Sequence, residues 1–343
     1  MNIRALLNTL GTRAHALPLV ILYVTEGCNL RCMTCSYRNP LPDELTLEEI
    51  RDLAIALKEF GLRHIVYSGG EPLMRRDFPD IGGVFRNLGV RQTLLTNGLL
   101  LEKRWGEIRP FLDEIIVSLD GPNDRVHNAI RGGEGFHQIL RGIRTIVDLP
   151  GRPLLCLRTV IQKQNFRSIL EMVQCAESLG VDRISFLAAD VLSDSFGRNR
   201  LGPVSPKESI MLTEEETLEF RNVVVRMVAD CGDEFKSGFI AESPDGIERI
   251  VRYFEALLGK GPFPPTTCNA PMVSAVVTST GDVQPCFFLP AFAHLRDGRL
   301  SELLNTPGIR ATRGDVRHGI PDRCRSCVCT LHVKPSAVLL NRL

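Results

Sequence analysis

Eleven cysteines stand among 343 residues, and most of them fall into two groups whose spacing can do chemistry. Cys28, Cys32 and Cys35 form C-x3-C-x2-C. Three thiolates on one short loop can each hold an iron of a [4Fe–4S] cubane, which leaves the fourth iron open to a substrate or cofactor. Structural zinc is the plainer reading, but zinc closes a tetrahedron with four ligands. The next candidate, His64, lies far downstream, and no C-x2-C pair sits nearby. The spacing favours the open cluster. The second group is Cys268, Cys286, Cys324 and Cys327. Four thiolates can close around a cluster that transfers electrons or holds structure, or around zinc. Cys329 follows closely, either as a replacement ligand for Cys327 or as a free thiol. Cys156, Cys175 and Cys231 read as core residues.

The elements that position these groups alternate. Apolar runs at Leu17–Val24, His64–Tyr67, Gln92–Thr96, Glu114–Leu119, Leu154–Ile161 and Arg183–Leu187 read as strands buried on both faces. Between them, helical periodicity places helices after Thr46 and around Phe78–Asn87, Glu102–Arg109, Phe136–Val147 and Phe166–Leu179. Thr46 with Glu49 is a capping box, and Gly61 and Gly180 are stop signals. Six such units imply a parallel sheet with right-handed crossovers, either open or curved into a partial barrel. Function then lies beyond the carboxyl ends of the strands. After Asp190 the alternation stops. Residues 191–210 form a polar loop over the site, helices follow at Glu214–Ala229 and Gly246–Leu258, and Met272–Phe288 reads as a hairpin turning at Thr280-Gly281-Asp282. The cysteine-rich remainder is too small for a core of its own, so a metal would supply stability.

The strand ends carry polar motifs: Ser68-Gly69-Gly70-Glu71-Pro72, Thr96-Asn97-Gly98 and Ser118-Leu119-Asp120-Gly121. Adjacent glycines allow close backbone approach, and a carboxylate beside them can accept from an ammonium group. The plainer reading is an ordinary turn. Arg158 is a charge in an apolar strand and needs a carboxylate partner, either from a ligand or from an internal salt bridge. Net charge is +1, which argues against bulk nucleic-acid binding. The longest early apolar stretch is too short to span a bilayer. Eleven cysteines without a secretory signal place the chain in the cytoplasm, as metal ligands and buried thiols.

On these motifs the sequence resembles the radical S-adenosylmethionine (SAM) enzymes. Cys28-Asn29-Leu30-Arg31-Cys32-Met33-Thr34-Cys35 is similar to their signature loop, with Thr34 where an aromatic residue often packs on adenine and Tyr37 as a partial substitute. Gly69-Gly70-Glu71 resembles the motif that holds the methionyl amine, and Asn97 and Ser118 match cofactor-contacting positions. Arg158 fits the methionyl carboxylate. C-x12-G-x4-C followed by C-x2-C resembles the SPASM/twitch extension, here with a single auxiliary cluster, a layout similar to that of a cyclitol dehydrogenase. The resemblance implies a partial (β/α)6 barrel over residues 1–212, a helical linker region over 213–264 and a twitch-type domain over 265–343. It implies a SAM-bound [4Fe–4S] cluster, one auxiliary [4Fe–4S] cluster and a flavodoxin- or ferredoxin-like electron donor. The expected reaction is dehydrogenation of a small polar molecule such as a sugar, aminocyclitol or nucleoside, with the auxiliary cluster accepting an electron. Epimerisation, decarboxylation and peptide modification are the rivals, and a zinc-stapled binding protein is the rival of another class. Asp190 is the candidate base for a forming ketone, Arg198 and Arg200 are candidate substrate contacts, and Cys231 or Cys329 is a candidate hydrogen donor.

Overall fold

The computed structural model describes residues 3–8, 10–319, 321–329 and 331–334. Six parallel strands, β1 (Leu19–Thr25), β2 (His64–Gly69), β3 (Arg91–Thr96), β4 (Glu114–Ser118), β5 (Leu154–Ile161) and β6 (Arg183–Ala188), pair in sequence order. They build a partial (β/α)6 barrel. All seven residues of β1 are buried, as its uninterrupted apolar run requires. The Leu47–Glu59 helix opens on the expected capping box: Thr46 Oγ1 accepts from Glu49 N (3.2 Å), and Glu49 Oε2 accepts from Thr46 N (2.9 Å).

Three features depart from the sequence reading. A helix at Asp124–Arg131 stands where none was expected. Asn123 caps it through Val126 N (3.1 Å), and Gly132 ends it at φ 68°. Only His127 and Ile130 on it are buried, so its apolar signal is too thin to read. The segment 191–210, expected as a loop, contains a short helix, Arg198–Leu201, and a 3-10 turn, Lys207–Ser209. The third departure is larger. The expected hairpin forms from β7 (Ser274–Val277) and β8 (Asp282–Gln284), with β9 (Ala293–His294) beside it. Instead of standing apart, β7 pairs in parallel with β1, from Leu19↔Ser274 to Leu22↔Val277. One nine-stranded sheet therefore runs through both cysteine-bearing regions. Ala275, Val277, Val283, Leu300 and Leu304 share the barrel's hydrophobic core, so the C-terminal region does not rely on metal alone for its apolar burial.

At the other edge, Ile240 bridges to Ile184 of β6, and Glu242 Oε2 accepts from Phe186 N (2.9 Å). The Glu214–Asp230 and Pro244–Leu257 helices pack on each other beside that edge. Among the described residues no helix is long and apolar enough to cross a membrane.

Candidate active site

β1 delivers the chain into the first cysteine loop, which three other segments hold. Cys28 N donates to Arg38 O (2.9 Å). Arg31 N and Met33 N donate to the last carbonyls of the Asp124–Arg131 helix, those of Arg131 (3.1 Å) and Ile130 (3.0 Å). Ser36 N donates to Phe196 O (2.9 Å) in the 191–210 segment. Phe196 adopts φ 60°, a left-handed conformation that a bulky residue rarely takes without surrounding constraint. Polar atoms approach each thiol: Asn97 Nδ2 lies 4.0 Å from Cys28 Sγ, Arg131 Nη1 3.8 Å from Cys32 Sγ, and Phe196 O 3.8 Å from Cys35 Sγ. Burial pushes Cys28 up to about 11; burial, with Cys32 next, pushes Cys35 up to about 12. Such thiols keep their protons at neutral pH until metal charge replaces them. Among the described residues no three His, Cys, Asp or Glu side chains are grouped to hold a single metal ion. Three thiols on one loop, each approached by a polar group, fit a cluster in which each thiolate takes its own iron.

At the strand ends, Glu71 is fully enclosed. Its Oε1 accepts from Thr96 Oγ1 (2.7 Å) and Leu73 N (3.1 Å), and its Oε2 accepts from Asn97 N (2.7 Å). Burial still lifts it to about 7, against those three donors. A carboxylate has about four acceptor sites, so room for one more donor remains. Gly69 and Gly70 serve the chain's own approach. Gly69 sits at φ 108°, and a Cβ on Gly70 would lie 2.2 Å from Gly27 O. Their absent side chains let Gly70 N and Glu71 N donate to Thr25 O and Gly27 O (both 2.8 Å), fastening β2 to the cysteine loop. Asn97 Nδ2 also donates to Asn29 Oδ1 (2.7 Å). Ser118 ends β4 opposite Arg158. Tyr37 is buried with Ile21, Tyr23 and Val276, edge-on to Tyr23 at 6.1 Å. Its ring is thus taken up by packing.

Arg131 is the residue sequence reading missed. Its Nε lies 2.6 Å from Asp120 Oδ2, with the Asp120 side chain buried and that of Arg131 largely so. Burial acts to lower its pKa, but Asp120 and Cys32 together hold it above the ordinary arginine range. Asp120 also accepts from Val160 N (2.8 Å), so it ties β4, β5 and the cysteine loop together. The Asn123…Gly132 cap signals were the available clue.

Two of the expected substrate contacts prove to be partners of each other. Asp190 is paired with Arg198, accepts from the Ser193 hydroxyl, and receives Leu192 N and Ser193 N at 3.3 and 3.2 Å. A carboxylate so occupied organises the loop around it. Arg198 Nη1 reaches Thr34 O (3.0 Å), and Arg200 pairs with Glu26. Both arginines clamp the 191–210 segment onto the first cysteine loop.

The second cysteine group surrounds a cavity of about 550 Å3 inside the barrel. Cys268, Cys286, Cys324, Cys327 and Cys329 all line it, facing Ile21, Val66, Leu95, Ile116, Arg158 and Phe186 from β1 to β6. Leu95 and Ile116 stand two residues before Asn97 and Ser118, and Arg158 is level with Ser118, so the cavity runs from mid-strand up to the strand-end motifs. Arg158 turns into this cavity, with its Nε donating to Ser185 Oγ (3.0 Å). Cys327 Sγ donates to Cys329 O (2.9 Å). Burial pushes Cys324 and Cys329 to about 11, with Arg158 opposing the rise at Cys329. Cys231 lies away from the cavity, in the packed core. Tyr23 lies between the groups, stacked on Phe287 at 6.2 Å and close to both Cys35 and Cys286.

Known proteins share these features. A family model for the radical SAM superfamily matches residues 22–176, and one for SPASM, an iron–sulfur cluster-binding domain, matches residues 268–328. The AdoMet-dependent heme synthase of Methanosarcina barkeri is 28% identical over 81% of this chain and 79% of its own. The Fe-coproporphyrin III synthase of the same organism is 34% identical over 49% of this chain, and a probable GTP 3',8-cyclase of Archaeoglobus fulgidus is 34% identical over 45%. Those matches span 43% and 53% of the two relatives' lengths. Among solved structures, Streptococcus suis SuiB bound to precursor peptide SuiA superposes with a TM-score of 0.63 at 16% identity, covering 95% of this chain and 74% of that one. Native anSMEcpe with bound AdoMet gives 0.63 at 18% identity, over 90% and 87%. At such identities the likeness speaks for the fold.

Proposed function

Because this chain belongs to the radical SAM superfamily and carries a SPASM iron–sulfur domain, we propose that it oxidises a substrate held in the barrel cavity between its two cysteine groups. Cys28, Cys32 and Cys35 hold a [4Fe–4S] cluster that takes SAM, with Glu71, Asn97 and Ser118 around the cofactor. Cys268, Cys286, Cys324 and either Cys327 or Cys329 hold one auxiliary [4Fe–4S] cluster. When bound, the first pair would supply hydrogen-atom abstraction at an unactivated carbon, and the second would supply a one-electron acceptor.

The chain's own residues position and seclude. The Asp124–Arg131 helix and the 191–210 segment fix the cysteine loop, and the cavity walls hold the substrate beside it. The substrate loses one hydrogen atom, then one electron and one proton, a net dehydrogenation. A flavodoxin- or ferredoxin-like donor supplies the initiating electron. Residues 1–212, 213–264 and 265–343 act as barrel, helical wall and auxiliary domain, in the reducing cytoplasm where free cysteines persist.

The observation that carries this reading is that the C-terminal cysteines line the same cavity as the inward residues of β1–β6. Relatives in the family are named for heme synthesis, GTP cyclisation and, in SuiB, a bound precursor peptide. A cavity of about 550 Å3 suits a small molecule better than a peptide. The test is anaerobic reconstitution followed by iron, sulfide and 5′-deoxyadenosine analysis. About eight irons and reductant-dependent 5′-deoxyadenosine are expected for two cubanes. Four irons, with zinc in the remainder, would remove the electron acceptor and the case for oxidation.

A further inference from the structure

One face of the Pro244–Leu257 helix looks into the cavity. Gly246, Arg249, Ile250 and Tyr253 all line it, at the i, i+3, i+4 and i+7 positions that share a helix face. Two polar tips on this face are unmatched. Arg249 Nη2 is buried without a hydrogen-bond partner, and the Tyr253 hydroxyl, on a residue 3% exposed, has the Val191 backbone N–H near its oxygen but no acceptor for its own O–H. A buried donor left unpaired destabilises the fold around it. Two of them on one wall, one turn apart, point to a group that arrives from outside.

The rest of the cavity says what that group is. Arg249 spends Nη1 on Pro265 O, and Arg158 spends Nε on Ser185 Oγ. Arg323 lines the cavity as well. The carboxylates that line it are already engaged: Glu114 is held by Arg91 and Thr93, and Glu242 accepts from Phe186 N. Burial pulls Arg249 below the ordinary arginine range, with the Cys327 thiol opposing. Beside His64, Thr93, Thr266, Ser274 and the cysteines, most of the remaining wall is apolar, including Leu95, Ile116, Phe186 and Ile250. Guanidinium groups in such a wall are satisfied best by a carboxylate, through charge-assisted and bidentate hydrogen bonds. A polyhydroxylated ring, by contrast, would strand its hydroxyls against these side chains.

We propose that the cavity takes an acid with an apolar body, its carboxylate received by Arg249 and Tyr253 with Arg158 facing them, and its body lying on the strand side chains. The proposal deepens the reading above and takes from it only that the cavity is where the substrate sits. It replaces a sugar or aminocyclitol as the substrate class.

The experiment is calorimetric titration of the reconstituted, SAM-loaded protein with two probes of one shape, naphthalene-1-acetate and naphthalene-1-acetamide. The acid should bind at least about 10-fold more tightly than the amide, the value of one charge-assisted contact. Arg249→Gln should abolish that preference while iron content stays at the wild-type level, Arg249→Lys should keep part of it, and Tyr253→Phe should weaken the acid about 3-fold or more. Equal binding of acid and amide, binding of neither, or an acid preference that survives Arg249→Gln would overturn the proposal. Arginines that only offset the thiolates of the auxiliary site would give that equal binding. The same samples, reduced with dithionite, report the radical reading separately. Absent 5′-deoxyadenosine would sink that reading and leave the anion site standing, and the reverse result is equally separable.

Discussion

The two cysteine groups are built on opposite plans. Cys28, Cys32 and Cys35 share one short loop directly after β1, and the segments around them only brace it. The second group is gathered from distant places: Cys268 before β7, Cys286 after β8, and Cys324, Cys327 and Cys329 near the far end of the described chain. Tertiary contacts hold these together. Asn269 N donates to Leu331 O (2.8 Å), its Nδ2 donates to Val333 O (2.8 Å), and its Oδ1 accepts from Val333 N (2.9 Å). Thr266 Oγ1 donates to Cys324 O (2.8 Å). Where ligands are local, sequence spacing sets the site and the fold tunes it. Where they are scattered, the fold is the site, and ligand binding and folding become one equilibrium.

That contrast can be broken. Cys28→Ala/Cys32→Ala/Cys35→Ala should abolish 5′-deoxyadenosine and remove about four irons, yet leave the melting temperature nearly unchanged. Cys268→Ala/Cys286→Ala/Cys324→Ala should lower the melting temperature by several degrees as well as removing iron. Equal melting losses would show that both sites are folding sites. Next in size is Arg131→Met. It leaves Asp120 as an unpaired buried charge and should cost about 3–5 kcal/mol by denaturant titration of the apoprotein. A cost under about 1 kcal/mol would mean the pair is superficial.

Asn269→Ala sharpens the other side. With its clasp on residues 331–333 gone, stability should fall by about 1–3 kcal/mol, and iron should be lost from the second group alone. The effect that shows only as a pH slope belongs to Glu71. Its folded carboxyl keeps its proton up to about 7, whereas the unfolded one releases it near 4.5. Between those values the folded state binds more protons, so this group's contribution to stability falls as pH rises and then levels off. Glu71→Gln should flatten that slope in apoprotein melts from pH 4.5 to 7.5. An unaltered slope would assign it to another group.

How much was legible follows the same division. The six strands were readable because each carries a dense apolar run, as in Leu154–Ile161, which is broken only at Arg158 and Thr159 and is β5 residue for residue. Capping chemistry gave the start of the Leu47–Glu59 helix. The first cysteine loop was readable because its spacing is local. What failed was non-local or weakly apolar. The Asp124–Arg131 helix buries too little to show a period, and with it Arg131 was lost. Asp190 and Arg198 read as separate functional groups because nothing in sequence tells that they meet. The β1–β7 pairing joins residues more than 250 positions apart, and only the assembled sheet reveals it.

That pairing makes the distance between the two cysteine groups a matter of ruled increments. β1 leads into one group and β7 opens the hairpin that leads into the other, and the ladder between them is about 4.8 Å wide with rungs about 3.3 Å apart. Lengthening or shortening the chain over residues 258–268 cannot change that spacing, because slack there is not transmitted through the ladder. Only a slip of β7 can change it, and one residue of slip would turn Ala275 and Val277 to the opposite face and pull both out of the shared core. A C-terminal module could therefore be exchanged for another with a different connecting segment and still hold its cysteines at the same distance from the first group, provided that Leu19↔Ser274 is kept in step.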